Sequence, residues 1–132
     1  MATIKAINPW RWQEAFGFSQ GVTADGVGRL LFCAGQTSVD ANGKFLHPGD
    51  MAAQLGQAFD NLEAVLAASG LTLANVVRLN YYVTDVDAFV AAGPVVGGRL
   101  AGCAVKPAGT LLGVSRLFHP DILVEIEATA VY

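Results

Sequence analysis

Charge is scarce in this sequence. Asp, Glu, Lys and Arg together make up 14% of its 132 residues, against a hydrophobic fraction of 53%. A monomer of this size calls for more polar surface, so the composition implies that further subunits cover part of the apolar exterior. The eight Lys and Arg are scattered, and with eleven Asp and Glu the net charge is −3. No basic stripe is available for a phosphate backbone, and no nucleic-acid partner is expected. Long apolar runs are missing as well. None approaches the roughly 20 residues that cross a bilayer, so no membrane partner is expected. The opening "MATIKAINPW" has neither the apolar core nor the small-residue cleavage site of a secretory leader, which points to the cytoplasm. Two cysteines, Cys33 and Cys103, do not make a disulfide framework, and their apolar neighbourhoods suggest buried free thiols. His47 and His119 each stand alone before a proline, and no Gly-rich phosphate loop leads into Lys and Ser or Thr. The sequence thus calls for no metal and no cofactor.

What is present fits one domain spanning residues 1–132. "FSQGVTA" (18–24) and "RLLFCAG" (29–35) are rich in β-forming residues and read as a hairpin across "DGVG". From Asp50, apolar residues at Met51, Leu55, Phe59, Leu62 and Leu66 recur at helical steps, with Asp50 as cap and Gly70 as stop. Gln54, Gln57, Asp60 and Glu63 fall off that stripe and are expected on the solvated face. "VVRLNYYV" (76–83) alternates as a strand, with Val77, Leu79, Tyr81 and Val83 on one face and Arg78, Asn80 and Tyr82 on the other. A second helix starts at Asp85 or Asp87, and Gly93-Pro94 should kink or split it. Strands at 110–117 and 122–131 finish the chain. The expected fold class is α+β, in the order β-β-α-β-α-β-β, with one sheet carrying two helices on a single face. The other sheet face is left open, and an apolar open face again demands partners.

Two stretches carry the chemistry. In "LVEIEATAV" the alternation puts Leu123, Glu125, Glu127, Thr129 and Val131 on one face, so two carboxylates are rigidly placed side by side. One could take a proton from water; the plainer role is pairing with Arg78 or Arg116 across the sheet. In "KPAGTLLGV" (106–114), Gly109 lies where the chain enters what reads as a buried strand. It either lets backbones approach closely or marks a missing side chain.

"GFSQGV", "LLFCAGQTSVDANGK", "QAFDNLEAVLAASGLTLANVVRLNYYVTDVDAF" and "GVSRL…LVEIEATAV" together resemble the RidA/YjgF family of enamine and imine deaminases, from about Gly17 to Val131. The resemblance implies a chorismate-mutase-like fold with a mixed sheet. It also implies a homotrimer whose sheets line a central barrel, with small-molecule clefts between subunits. In the active deaminases of that family an arginine follows Pro-Ala and holds the substrate carboxylate in a planar, bidentate grip. Here Gly109 follows Pro107-Ala108, and an arginine placed there would be expected to restore the grip. Two more departures run the same way: Phe18 stands where Tyr is common, and Gly93 where Asn is often found. Thr110 takes the place of the usual small hydroxyl residue, and Leu111 falls where a small residue often lends backbone to the cleft. Gly35 keeps the close-approach position, and Glu125 matches the glutamate that handles the attacking water.

The expected site is therefore Glu125 as the catalytic group, with Phe18, Gly35, Gly93, Gly109, Thr110 and Leu111 around the substrate. The expected activity is hydrolytic deamination of a small imine or enamine with altered specificity. The alternative is a non-catalytic homotrimer that binds an apolar or aromatic ligand in the intersubunit cleft. Trp10 and Trp12 could wall the cleft or pack elsewhere. Arg99 suits the end of its helix or could serve as a relocated clamp, and Arg116 matches a structural arginine of the family.

Overall fold

The computed structural model describes residues 1–132. Its central element is helix α1, Met51–Ala68, which opens where the Asp50 carboxylate accepts a hydrogen bond from the Ala53 N–H at 3.0 Å. It closes at Gly70, whose φ of 76° lets the Leu71 N–H reach back to the Leu66 carbonyl. The apolar stripe forecast for it is buried. Leu55, Ala58, Phe59, Leu62 and Leu66 are fully inaccessible and pack on one face of a sheet.

That sheet has four strands in the order β3-β6-β4-β5: β3 is Leu30–Gln36, β4 Val76–Val83, β5 Leu111–Gly113 and β6 Val124–Val131. β6 runs antiparallel to both neighbours, and β4 and β5 run parallel, so the sheet is mixed. The alternation of β6 holds through Ala130 and breaks at Val131, which is buried although the alternation expects it on the face of Glu125. Val124, Ile126, Ala128 and Ala130 are buried under α1, which leaves Glu125, Glu127 and Thr129 on the opposite, uncovered face. β3 adds Leu30 and Phe32 to that face, 52% and 73% exposed. The second helix does split at Gly93-Pro94, into α2 (Val86–Ala91) and α3 (Gly93–Leu100). Pro94 lies in the first turn of the new helix, where its missing N–H costs nothing.

Three local expectations are corrected. Residues 18–24 and 29–35 do not pair with each other. β2 (Gly21–Asp25) instead pairs antiparallel with β1 (Thr3–Ile7), while β3 pairs with β6. The strand expected over 110–117 keeps only three ladder residues. It is an exposed edge rather than a buried strand, with Leu111 and Leu112 each more than a third accessible. Gln54 is buried, not solvated. Its amide donates to the His47 and Asp121 carbonyls at 3.1 and 2.7 Å and accepts from the Leu123 N–H at 2.9 Å. A polar side chain sits on the apolar stripe because three loop and strand-end backbone groups need partners there.

Candidate functional site

A cleft of about 880 Å3 opens between the β5 edge, α2 and α3, and the short 3-10 turn Trp12–Phe16. Five of the residues expected around a substrate line it: Phe18, Gly93, Gly109, Thr110 and Leu111. Trp12 forms part of its wall, with its ring edge-on to Phe16 and Phe18 at 6.2 and 5.8 Å. Trp10, 58% exposed, is not part of the lining. The lining contains two charged residues, Glu14 and Lys106. Lys106 spends its ammonium on the Leu100 and Cys103 carbonyls, at 2.7 and 2.8 Å, where α3 ends. Arg99 is no relocated clamp. It ties α3 to α1 through Asp60 at 2.7 Å, Glu63 at 2.6 Å and the Gly56 carbonyl.

Gly109 proves to be a point of close approach. A Cβ there would lie 1.9 Å from the Leu79 carbonyl oxygen. The β4–β5 ladder is locally displaced: Leu79 N–H bonds the Ala108 carbonyl and Tyr81 N–H bonds the Thr110 carbonyl. The Thr110 N–H goes instead to the Asn80 side-chain oxygen at 3.1 Å. Arginine at 109 would drive its Cβ into β4, so the simple restoration expected from the sequence is corrected. The guanidinium is absent and the backbone has settled into the space that its Cβ would need.

Gly35 and Glu125 come together on the open face of the sheet, and neither lines the cleft of this chain. A Cβ on Gly35 would fall 2.0 Å from the Glu125 carboxylate, so the glycine is what leaves room for that side chain. The carboxylate has no hydrogen-bond or ion-pair partner within the chain. Burial, and then the neighbouring Glu127, hold its pKa above the ordinary value. Glu127 is the opposite case. It accepts from the Tyr82 hydroxyl and from the Asn80 amide at 3.2 Å, and these bonds lower its pKa. Arg78 contributes through its charge but forms no ion pair with Glu127. Its guanidinium reaches only the Thr110 hydroxyl at 3.4 Å. The two glutamates are thus divided into one paired and one unpaired, although the partners of Glu127 are a phenol and an amide rather than the arginines expected.

Sequence reasoning missed Asn80, which links Glu127 to the cleft rim at Thr110, and Tyr81, which lines the cleft behind Phe89 at 5.0 Å between ring centres. The strand alternation groups Tyr81 with Leu79 and Val83, and that face is the one that meets the helices. What it could not reveal is that the ring, packed against Phe89 of α2, also borders the cleft.

A family described as endoribonuclease L-PSP matches residues 11–132. Protein DfrA of Myxococcus xanthus is 38% identical over 128 residues, covering 96% of this chain and 95% of that protein. The 2-iminobutanoate/2-iminopropanoate deaminase of Escherichia coli is 31% identical over 115 residues, 86% of each chain. Among solved structures, the Rid-family protein YyfB of Yersinia pestis, described as of unknown function, superposes with a TM-score of 0.90 at 37% identity over 98% of both chains. The Escherichia coli YjgF protein superposes with a TM-score of 0.70 at 31% identity, covering 86% of this chain and 87% of its own. With its sheet-and-helix architecture and a family match over nearly its full length, this chain belongs to the RidA/YjgF family.

Proposed function

We propose that this protein is a hydrolytic deaminase of a small imine or enamine, and that its substrate does not depend on an arginine-held carboxylate. The observation that carries the reading is Glu125: a partnerless carboxylate, raised in pKa, rigidly mounted on a strand and given space by Gly35. A general base near neutral pH needs that combination. Glu125 takes a proton from a water molecule as its oxygen adds to the imine carbon. That proton passes to the former imine nitrogen to give the neutral carbinolamine, whose hydroxyl proton then moves to the nitrogen through the same carboxylate as the C–N bond breaks, so that imine plus water gives carbonyl compound plus ammonia.

Within one chain Glu125 sits on the open sheet face and the apolar cleft on the helix side of the β5 edge, so a complete site needs a second copy. The exposed face with Leu30 and Phe32 supplies the reason for copies to associate. The proposed assembly is a homotrimer whose clefts are closed by Glu125 of a neighbouring copy. The Escherichia coli relative named as an imine deaminase supports the chemistry. The cleft of this chain, with no guanidinium in its lining, supports the changed specificity.

The test is ammonia release from imines generated in solution, with and without an α-carboxylate, alongside light scattering of the same sample. Faster release from the carboxylate-free members by a trimer supports the proposal. A stable monomer, or no release from any imine, contradicts it. The second reading, a trimer that only binds an apolar ligand, draws on the aromatic wall of Trp12, Phe16 and Phe18. Saturable binding without turnover would select it.

A further inference from the structure

Tyr81 is a phenol in an unusual position. It lies on β4 opposite Leu111 of the edge strand and packs its ring against Phe89 of α2, and all three residues line the cleft. Its hydroxyl makes no hydrogen bond within the chain, yet it is not among the polar atoms sealed from the surface without a partner. A tyrosine hydroxyl in so apolar a setting ordinarily finds a partner. Tyr82, the next residue, shows the contrast: on the opposite face, it gives its hydroxyl to Glu127.

The surroundings define what would meet the Tyr81 hydroxyl. Trp12, Phe16 and Phe18 offer ring faces and edges to an aromatic or branched apolar body. The one cation of the lining, Lys106, is already held by two carbonyls at the end of α3. A carboxylate entering this cleft would shed its hydration without gaining a bidentate cation, whereas an uncharged acceptor loses far less. Burial also pushes the Tyr81 pKa well up, so the phenol stays protonated and able to donate.

We infer that Tyr81 is a ligand-binding residue of this cleft, donating its hydroxyl hydrogen to an uncharged acceptor, an amide, ester or lactam oxygen, on a molecule that carries an aromatic or branched apolar group. The inference rests on reading the cleft as the substrate site, and it names the class of imine that the deaminase proposal left open. Selectivity follows from the pairing of one neutral donor with an aromatic wall. An imine with a masked carboxyl group fits, and a free 2-imino acid does not.

The test uses stable 2-oxo analogues of the hydrolysis product, phenylpyruvic acid and its primary amide, with Trp12 as reporter. A Trp10→Phe background leaves Trp12 as the sole indole, since the chain has two tryptophans. Titration of the emission is expected to show tighter binding of the amide than of the acid. Tyr81→Phe should weaken the amide about three- to tenfold, the worth of one neutral hydrogen bond, and leave the acid unchanged. Thermal stability should not fall in Tyr81→Phe, because no protein partner loses a bond. Equal binding of acid and amide would overturn the inference, as would an unchanged affinity in the variant or a lowered melting temperature. Ammonia release is measured on the imine of the same amide. Tyr81-dependent binding without turnover would contradict the deaminase proposal and still support the role of Tyr81.

Discussion

Gly35 and Gly109 make a matched pair for testing the account, because alanine at each creates a collision of a different kind. Neither glycine has a left-handed φ, so backbone strain plays no part and the outcome depends on what the new Cβ meets. At Gly109 it meets the Leu79 carbonyl oxygen at 1.9 Å and the carbonyl carbon at 3.0 Å. Ordinary contacts are about 3.5 Å, so β4 and the 108–110 segment must separate by more than an ångström. That displacement threatens the Ala108 and Thr110 carbonyl bonds to β4, on which the short β5 edge depends. Overpacking against backbone costs about 3 kcal/mol, the upper part of its usual range. With about 2.1 cal/mol/K of unfolding entropy per residue, this lowers Tm by roughly 11 °C. At Gly35 the new Cβ meets side chain rather than backbone: the Glu125 carboxylate oxygen at 2.0 Å and, nearer the strand, its Cγ at 2.8 Å, so the whole side chain must turn about χ1. Rotation of that side chain relieves the clash, so Tm should change by less than about 3 °C. The displaced carboxylate should nevertheless cost about 100-fold in turnover, the lower end of what a placed acid-base group supplies. Scanning fluorimetry and ammonia release on the two variants side by side would read both effects. A Gly109→Ala protein as stable as wild type would refute the close-approach argument. A fully active Gly35→Ala protein would refute the role given to Glu125.

Gln54→Leu keeps the volume but strands three backbone groups, and should cost about 2 to 3 kcal/mol in urea unfolding; a loss below about 1 kcal/mol would contradict its bridging role. Glu125 has a folded pKa above its ordinary 4.5, so it contributes stability in acid that is lost as pH rises through the raised value. Glu125→Gln should therefore raise Tm near neutral pH and have a shrinking effect in acid; a pH-independent shift would contradict that sign. Glu127 has a lowered value, so its contribution is present above 4.5 and is lost as pH falls through the lowered value. Glu127→Ala should cost about 1 kcal/mol near neutral pH, more than Glu125→Ala, and progressively less in acid; equal costs for the two variants would remove the division between them.

Periodicity carried most of the fold. The α1 stripe, the β6 alternation and the break at Gly93-Pro94 are local patterns that tertiary structure had no reason to override. Strand partnership was less legible. "DGVG" is adequate turn chemistry, but β2 finds its ladder in Thr3–Ile7, whose Thr3, Ile4 and Ile7 are β-branched, and adjacency in sequence misled. Gln54 was misplaced because a side chain type says nothing of the backbone groups it will be asked to satisfy. In the candidate site, the residue positions came from resemblance and the reasons came from geometry. Gly109 faces a carbonyl and Gly35 faces a carboxylate, a distinction that no reading of two glycines in a sequence could supply.

The central claim is that Glu125 drives imine hydrolysis beside a cleft that does not require a carboxylate. Its most direct test is ammonia release by wild type and Glu125→Gln on paired imines, one bearing a free α-carboxylate and one in which that group is an amide. The account predicts that wild type favours the amide member, and that Glu125→Gln loses about 100-fold or more on it while remaining folded. Preference for the free carboxylate, or equal turnover by the two proteins, would contradict the claim.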